Sequence, residues 1–213
     1  MRIVAGQWRG RHLAVPKGRG VRPTLERVRE AMFDVLQGDI PGARVLDLFA
    51  GSGALGFEAL SRGAARVRWC EVDPRSIEAI RENAGRLGVV LKPKTIQAVP
   101  ALDAIRRLTR DGETFDVVFL DPPYESGAYD ETMLALSLSS CVAPGGVVAV
   151  EHAKKIDLSP SYGHLFLDRV RQYGDTYVSY FRRAAAPAAV VRPGQAGAAP
   201  VTGTEVGQQE DCQ

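Results

Sequence analysis

Hydrophobic positions along the chain follow two periods, and where they switch sets the architecture. From residue 44 onward, short apolar runs alternate with amphipathic stretches of helical period, the pattern of a parallel sheet carrying helices on both faces. The runs are Val45–Phe49, Val67–Glu71, Thr95–Ala98, Val117–Leu120 and Val147–Val150. Helices are expected near 54–61, 75–87, 101–110 and 130–140, the second opening with Asp73 as N-cap and Pro74 at the first helical position. Leu165–Arg171 and Thr176–Phe181 flank the turn Tyr173-Gly174-Asp175, which predicts an antiparallel hairpin closing the sheet. The fold class is therefore α/β and Rossmann-like.

Ahead of this body, residues 2–15 alternate around Arg9-Gly10-Arg11 and predict a short β-hairpin, followed by a Gly/Pro-broken loop. Thr24 can cap the next helix, in which Leu25, Val28, Met32 and Val35/Leu36 share one face. That spacing puts Arg22, Arg27 and Arg29 near or on the exposed side. The other end of the chain changes character: Ala184–Gln213 has no aromatic residue and too little apolar surface to offset its ordering entropy, so a disordered tail is expected. Three units follow: a basic hairpin and loop at 1–22, a main domain at 23–183 and a tail at 184–213.

Composition narrows the function classes. The 213 residues, 45% of them hydrophobic, suit one full core and leave no room for a second large domain. No apolar stretch reaches the length of a signal peptide or a membrane span, so a cytoplasmic protein with no membrane partner is expected. Cys70, Cys141 and Cys212 lack the spacing of a zinc site or a disulfide framework, and no metal is expected. The net charge is only +2, but residues 1–30 hold eight basic side chains against Glu26 and Glu30, so the remainder is acidic. A basic lobe on an acidic body is what a phosphate-facing surface looks like, and a solubilising arm would look the same.

The candidate chemistry lies at strand ends. Asp47 to Gly56 reads DLFAGSGALG, a complete G-x-G-x-x-G between strand and helix. Gly51 and Gly53 would let the backbone turn and approach a ligand, and Gly56 would let the helix pack closely on the sheet. A carboxylate at Asp47 would crowd a pyrophosphate but can accept hydrogen bonds from the ammonium of S-adenosylmethionine. Glu71 ends the second strand, where an acid commonly takes ribose hydroxyls. The third strand ends in Ala98-Val99-Pro100 without an acid, which leaves backbone and apolar contacts for adenine. Asp47, Phe49, Gly51, Gly53, Glu71 and Ala98 are thus the candidate cofactor residues.

The fourth strand ends in Asp121-Pro122-Pro123-Tyr124, a tetrapeptide whose chance occurrence is on the order of one in a thousand. An exocyclic amine on a nucleobase is a poor nucleophile because its lone pair is delocalised into the ring. Asp121 can accept one of its N–H groups and the Pro122 carbonyl the other, while Tyr124 offers a stacking face to an extruded base. These are the candidate catalytic residues, and the whole reads as the sheet arrangement of class I methyltransferases. His12, His152 and His164 have no partner that spacing can place beside them, and a strand-end acid such as Glu151 is ordinarily solvated.

The residues resemble the RsmD-type 16S rRNA guanine-N(2) methyltransferases. The resemblance rests on IVAGQWRGRHL from Ile3, RPTLERVREAMF from Arg22, DLFAGSGALG from Asp47, EVD from Glu71, DPPY from Asp121 and YGDT from Tyr173, in unbroken order across residues 2–182. It implies S-adenosylmethionine as methyl donor and a guanine of small-subunit rRNA as substrate, within an assembled or assembling subunit. It also implies that the N-terminal hairpin and the Arg22 segment hold RNA, making Arg9, Arg11, Arg22, Arg27, Arg29 and Tyr124 the candidate RNA contacts. Two alternatives remain open: an adenine-N(6) DNA methyltransferase, which would need a larger recognition region than this chain offers, and a binding-only assembly factor, which would not need Asp47, Glu71 and Asp121 together.

Overall fold

The computed structural model describes residues 1–16, 23–122 and 128–185. Its helices are α1 (Pro23–Val35), α2 (Ala54–Ser61), α3 (Pro74–Leu87), α4 (Ala101–Arg110) and α5 (Ala128–Leu138). The strands are β1 (Arg44–Asp47), β2 (Arg66–Cys70), β3 (Ile96–Gln97), β4 (Phe115–Leu120), β5 (Val142–Ala153), β6 (Ser161–Tyr162), β7 (Leu165–Tyr173) and β8 (Thr176–Arg183). They form one sheet in the order β3-β2-β1-β4-β5-β8-β7-β6. The first five are parallel and the last three antiparallel, as the alternation of apolar runs and helices predicts.

The order of the strands locates the site. From β1 the chain steps outward through β2 to β3, then returns to place β4 on the other side of β1. The crossovers diverge at β1 and β4, opening a crevice at their carboxyl ends where open α/β sheets bind ligands. Alternate residues of the central strands feed two cores. Val45, Val117, Phe119, Val147 and Ala149 pack toward α1, α2 and α3. Leu46, Val118, Leu120, Val148 and Val150 pack toward α4 and α5. Asp73 caps α3 as expected, accepting from the Arg75 N–H at 3.4 Å and from the Ser76 hydroxyl at 3.0 Å, with Pro74 next to it.

Strand lengths depart from expectation where turn residues mask or mimic them. β5 begins at Val142, five residues early, because Pro144-Gly145-Gly146 reads as a break yet is absorbed at a shift in register between β4 and β5. β3 keeps only two residues, and β6 is an addition to the expected strands, because its two residues are too few to carry a periodic signal.

The N-terminal hairpin forms but is shorter than expected. Only one bridge forms, Arg2 with His12, flanked by backbone hydrogen bonds from Ile3 N to Arg11 O (2.9 Å), Gly10 N to Ile3 O (2.8 Å) and Leu13 N to Met1 O (2.9 Å). The donors that a second ladder would use go to α2 instead: Val4 and Ala5 donate to the Glu58 carboxylate at 2.8 and 3.0 Å, Gln7 to Ser61 O at 2.8 Å and Trp8 to Ser61 Oγ at 3.0 Å. Gly6 makes the approach feasible, since at φ 81° a Cβ there would lie 1.9 Å from the Ser61 carbonyl oxygen. Ile3 and Leu13 join the core shared by α1, α2 and α3, so this segment is docked along its length. The expected tail lies outside the described residues from 186 onward.

Candidate active site and RNA-facing surface

Asp47, Glu71, Ala98 and Asp121 stand at or just beyond the carboxyl ends of β1 to β4 in turn, and Glu151 lies two residues inside the end of β5, so the fold gathers them along one edge of the sheet. Asp47 is buried, at 2% exposure, and its Oδ2 accepts the Gly56 N–H at 3.2 Å. Burial pushes its carboxyl up to about 8, against the opposing pull of the Gly56 N–H, and the charges of Asp121 and Glu71 raise it further. A buried acid that is hard to ionise is a site that gains from a cationic ligand, because the ligand's charge stabilises the carboxylate.

The loop between β1 and α2 is held by Glu71. One of its oxygens accepts the Gly51 N–H at 2.7 Å and the other accepts from Val72 and Asp73 at 2.7 and 2.9 Å. These three donors occupy most of the roughly four acceptor sites of a carboxylate, so a ribose diol would share the group with the loop. Of the glycines, Gly51 and Gly56 serve as expected, whereas Gly53 faces packed side chains, not ligand space. A Cβ on Gly56 would lie 2.1 Å from Trp69 Nε1, and one on Gly53, at φ 79°, would press on Phe57, Ile80 and Trp69. Gly51, at φ 52°, has nothing within 4 Å of its would-be Cβ and therefore borders open space. Phe49 is half-buried against the α4 and α5 core, and Ala98 is exposed at the end of β3.

These features fit S-adenosylmethionine: a loop that leaves room beside Gly51, a buried carboxyl suited to a positive charge, an acid at the tip of β2 and an unobstructed third strand end. Asp121 is partly exposed and Pro122 buried at the tip of β4, beside β1, and Asp121 is close enough to act electrostatically on Asp47. Pro123 and Tyr124 lie outside the described residues. Glu151, expected to be solvated, is 5% exposed. Next to it His152 is also buried, its Nε2 2.9 Å from Ser179 Oγ, and burial lowers its pKa. Among the described residues no group of side chains is arranged to hold a metal, and no helix is long and apolar enough to cross a membrane.

The RNA candidates separate. Arg9, Arg11 and Arg27 are exposed and make no ion pair among the described residues, whereas Arg22 falls outside them. Arg9 and Arg27, with Arg2, Glu26 and Glu30, line a cavity of about 340 Å³ between the N-terminal segment and α1. Arg29 is corrected: it is 4% exposed, its Nε lies 3.5 Å from the fully buried Glu58, and its guanidinium donates to the Arg2 carbonyl. Helical periodicity places it beside Val28 on the α1 flank that faces α2, and it cannot reach a phosphate. The missed partner had a signal. Glu58 is the one charged residue in the otherwise apolar helix ALGFEALS, and a carboxylate so placed needs cations and N–H donors around it.

A doubly wound sheet with a glycine loop after its first strand and acids at the tips of β1, β2 and β4 defines the fold and site of a class I methyltransferase. The chain belongs to the family described as Conserved hypothetical protein 95, whose model matches residues 1–182. It is 36% identical over 185 residues to the ribosomal RNA small subunit methyltransferase D of Escherichia coli K12, covering 87% of this chain and 91% of that protein. Among solved structures, a hypothetical protein of Thermus thermophilus superposes with a TM-score of 0.71 at 32% identity, covering 87% of this chain and 99% of that one. The fold is also that of the Thermus thermophilus 16S rRNA methyltransferase RsmC, solved with AdoMet and guanosine, at a TM-score of 0.60 and 22% identity over 78% of this chain and 44% of that one.

Proposed function

We propose that this chain is an S-adenosylmethionine-dependent rRNA methyltransferase that modifies the 2-amino group of a guanine in small-subunit rRNA, acting on the assembled or assembling subunit. The observation that carries the reading is that Asp47 and Asp121 stand at the carboxyl ends of the adjacent strands β1 and β4, close enough for the charge of Asp121 to act on Asp47, at the place where an open α/β sheet binds its ligands. Membership of a family that includes the small-subunit enzyme of Escherichia coli supports the rRNA assignment.

The residues act as follows. Asp47 and Glu71 hold the two ends of the cofactor's polar portion, and the loop from Phe49 to Gly53 closes around it. Bound S-adenosylmethionine supplies a methyl group on a positively charged sulfur. Asp121 accepts one N–H of the guanine amine, the Pro122 carbonyl accepts the other, and the lone pair is thereby turned out of the ring plane toward the methyl. As the new N–C bond forms at the expense of the sulfur–methyl bond, leaving a neutral thioether, the proton lost from the amine passes to the Asp121 carboxylate. Tyr124 stacks on the extruded base, and Arg9, Arg11, Arg22 and Arg27 engage phosphates. Orientation of this kind can contribute roughly 7–11 kcal/mol to the rate.

The test is transfer of a labelled methyl group to small subunits, naked 16S rRNA and duplex DNA in parallel, followed by nucleoside mass spectrometry. N(2)-methylguanosine from the subunit sample is expected. N(6)-methyladenosine from DNA, or no transfer to any substrate, would overturn the reading.

A further inference from the structure

Asn83, on α3, is fully buried and spends its carboxamide on two separate parts of the molecule. Its Oδ1 accepts the Ala14 N–H at 2.6 Å, and its Nδ2 donates to the Ala14 carbonyl and to the Ser52 carbonyl, both at 3.0 Å. Ala14 ends the N-terminal segment that carries Arg9 and Arg11. Ser52 sits between Gly51 and Gly53 in the cofactor loop. One rigid amide therefore clasps the backbone of the basic segment on both its donor and its acceptor, and holds the glycine loop with the proton that is left.

The same two regions meet a second time through α2, which starts at the end of that loop. Glu58 accepts from Val4 and Ala5, and Ser61 Oγ donates to the Ala5 carbonyl at 2.5 Å. That attachment reaches the helix body, whereas Asn83 reaches the loop itself, beside the open space at Gly51.

We infer that Asn83 is a positioning residue that couples RNA on the N-terminal segment to the cofactor grip of the glycine loop. The inference rests on the functional reading above for the identity of the two ligands. RNA held at Arg9 and Arg11 further restrains a segment already docked through Ile3 and Leu13, the restraint passes through Ala14 to the Asn83 amide, and the amide holds Ser52 with the loop in its ligand-ready form. A contiguous chain of hydrogen bonds is a physical route for such coupling, and linkage makes the effect reciprocal: the factor by which RNA tightens cofactor binding equals the factor by which cofactor tightens RNA binding.

The experiment titrates S-adenosylhomocysteine, which cannot react, into the full chain with and without saturating 16S rRNA, and titrates the rRNA with and without S-adenosylhomocysteine. Wild type is expected to gain about five-fold or more in each direction, the lower end of ordinary allosteric factors. Asn83→Ala is expected to bind S-adenosylhomocysteine more weakly without RNA and to lose the coupling. Ala14→Pro removes the N–H that Asn83 accepts while leaving the bonds from its Nδ2 to the Ala14 and Ser52 carbonyls, so it should keep wild-type cofactor affinity without RNA and weaken the coupling. A merely structural Asn83 would lower stability and leave the ratio of affinities untouched. If Asn83→Ala fails to fold, Ala14→Pro decides. Equal cofactor affinity with and without bound rRNA in wild type, or wild-type coupling in Ala14→Pro, would overturn the inference alone, whereas rRNA that does not bind wild type would overturn the functional reading with it.

Discussion

Arg29 and Glu58 form an ion pair inside the protein, 3.5 Å apart with exposures of 4% and 0%, and it fastens α1 to α2. Burial lowers the Arg29 pKa, and Glu58, the nearest charge, pulls it back. A buried charge left wholly without a partner costs about 3–5 kcal/mol, but Glu58 keeps Arg62, whose Nε donates to it at 2.8 Å, and the N–H groups of Val4 and Ala5. Arg29→Ala is thus expected to lower stability by less than that in urea titrations, with the N-terminal segment loosened because Arg29 also donates to the Arg2 carbonyl.

The exposed arginines should behave in the opposite way. An Arg9→Ala/Arg11→Ala variant is expected to keep its melting temperature, to weaken rRNA binding, and to flatten the dependence of log affinity on log salt by about 0.7–0.9 per charge removed. An unchanged slope would show that these groups only solubilise the segment.

Asp47 makes cofactor binding pH-dependent. Its carboxyl titrates at about 8 in the ligand-free protein, against 3.8 for an ordinary aspartate. A cationic ligand favours the ionised form, so binding expels a proton below pH 8, and affinity for S-adenosylmethionine should rise from pH 6 to pH 8 and then level off. Stability runs the other way: a carboxyl raised on folding contributes stability that is fully present below its unfolded value and is lost as pH rises through about 8. Asp47→Asn should flatten both profiles. A proton-release measurement by calorimetry in two buffers checks the first, and chemical denaturation between pH 5 and pH 9 the second.

Gly51 and Gly56 belong to one motif but should fail differently. A methyl on Gly56 would collide with the buried Trp69 indole, so Gly56→Ala should cost about 1–3 kcal/mol or more of stability. A methyl on Gly51 meets open space, leaving only the left-handed backbone strain, about 1–2 kcal/mol, while it intrudes where the cofactor sits. Gly51→Ala should therefore lose affinity out of proportion to its loss of stability, as melting curves and calorimetry would report.

These contrasts mark what local pattern conveys. The parallel strands, the α3 cap at Asp73 and the strand-end placement of Asp47, Glu71 and Asp121 follow from apolar runs and turn residues within a few positions, and all are found where the periodicity puts them. The N-terminal segment reads as a full hairpin and forms only a short one around Arg2 and His12, because its other hydrogen-bond partners are far away in sequence: Glu58 lies 53 and 54 residues from the backbone it binds, Asn83 69 residues. Arg29 reads as exposed for the same reason, since only its meeting with Glu58 makes a buried guanidinium tolerable. Alternation along residues 2–15 has the right period for a strand, and it cannot tell whether the ladder partner is a neighbouring strand or a helix.

The last prediction separates chemistry from binding at the tip of β4. Asp121 is the acceptor that matters most as the guanine amine turns out of conjugation, so its loss should fall on the transition state more than on either ground state. Asp121→Ala is expected to keep its affinity for S-adenosylmethionine while kcat drops by orders of magnitude. Asp121→Asn retains an oxygen that accepts a hydrogen bond but has no carboxylate to take up the departing proton, so it should hold an intermediate fraction of the activity, and raising the pH should restore little of the remainder. Because Asp121 raises the Asp47 carboxyl through its charge, both variants should also shift the pH profile of cofactor affinity to lower pH, whatever part Asp121 takes in the chemistry. Tyr124→Phe should be mild and Tyr124→Ala severe, as stacking needs the ring and not the hydroxyl. Single-turnover transfer to small subunits at saturating cofactor compares all four variants. Near-normal transfer by Asp121→Ala, or equal defects in the two Tyr124 variants, would reduce the tetrapeptide to a rigid turn and move the chemistry elsewhere along the sheet edge.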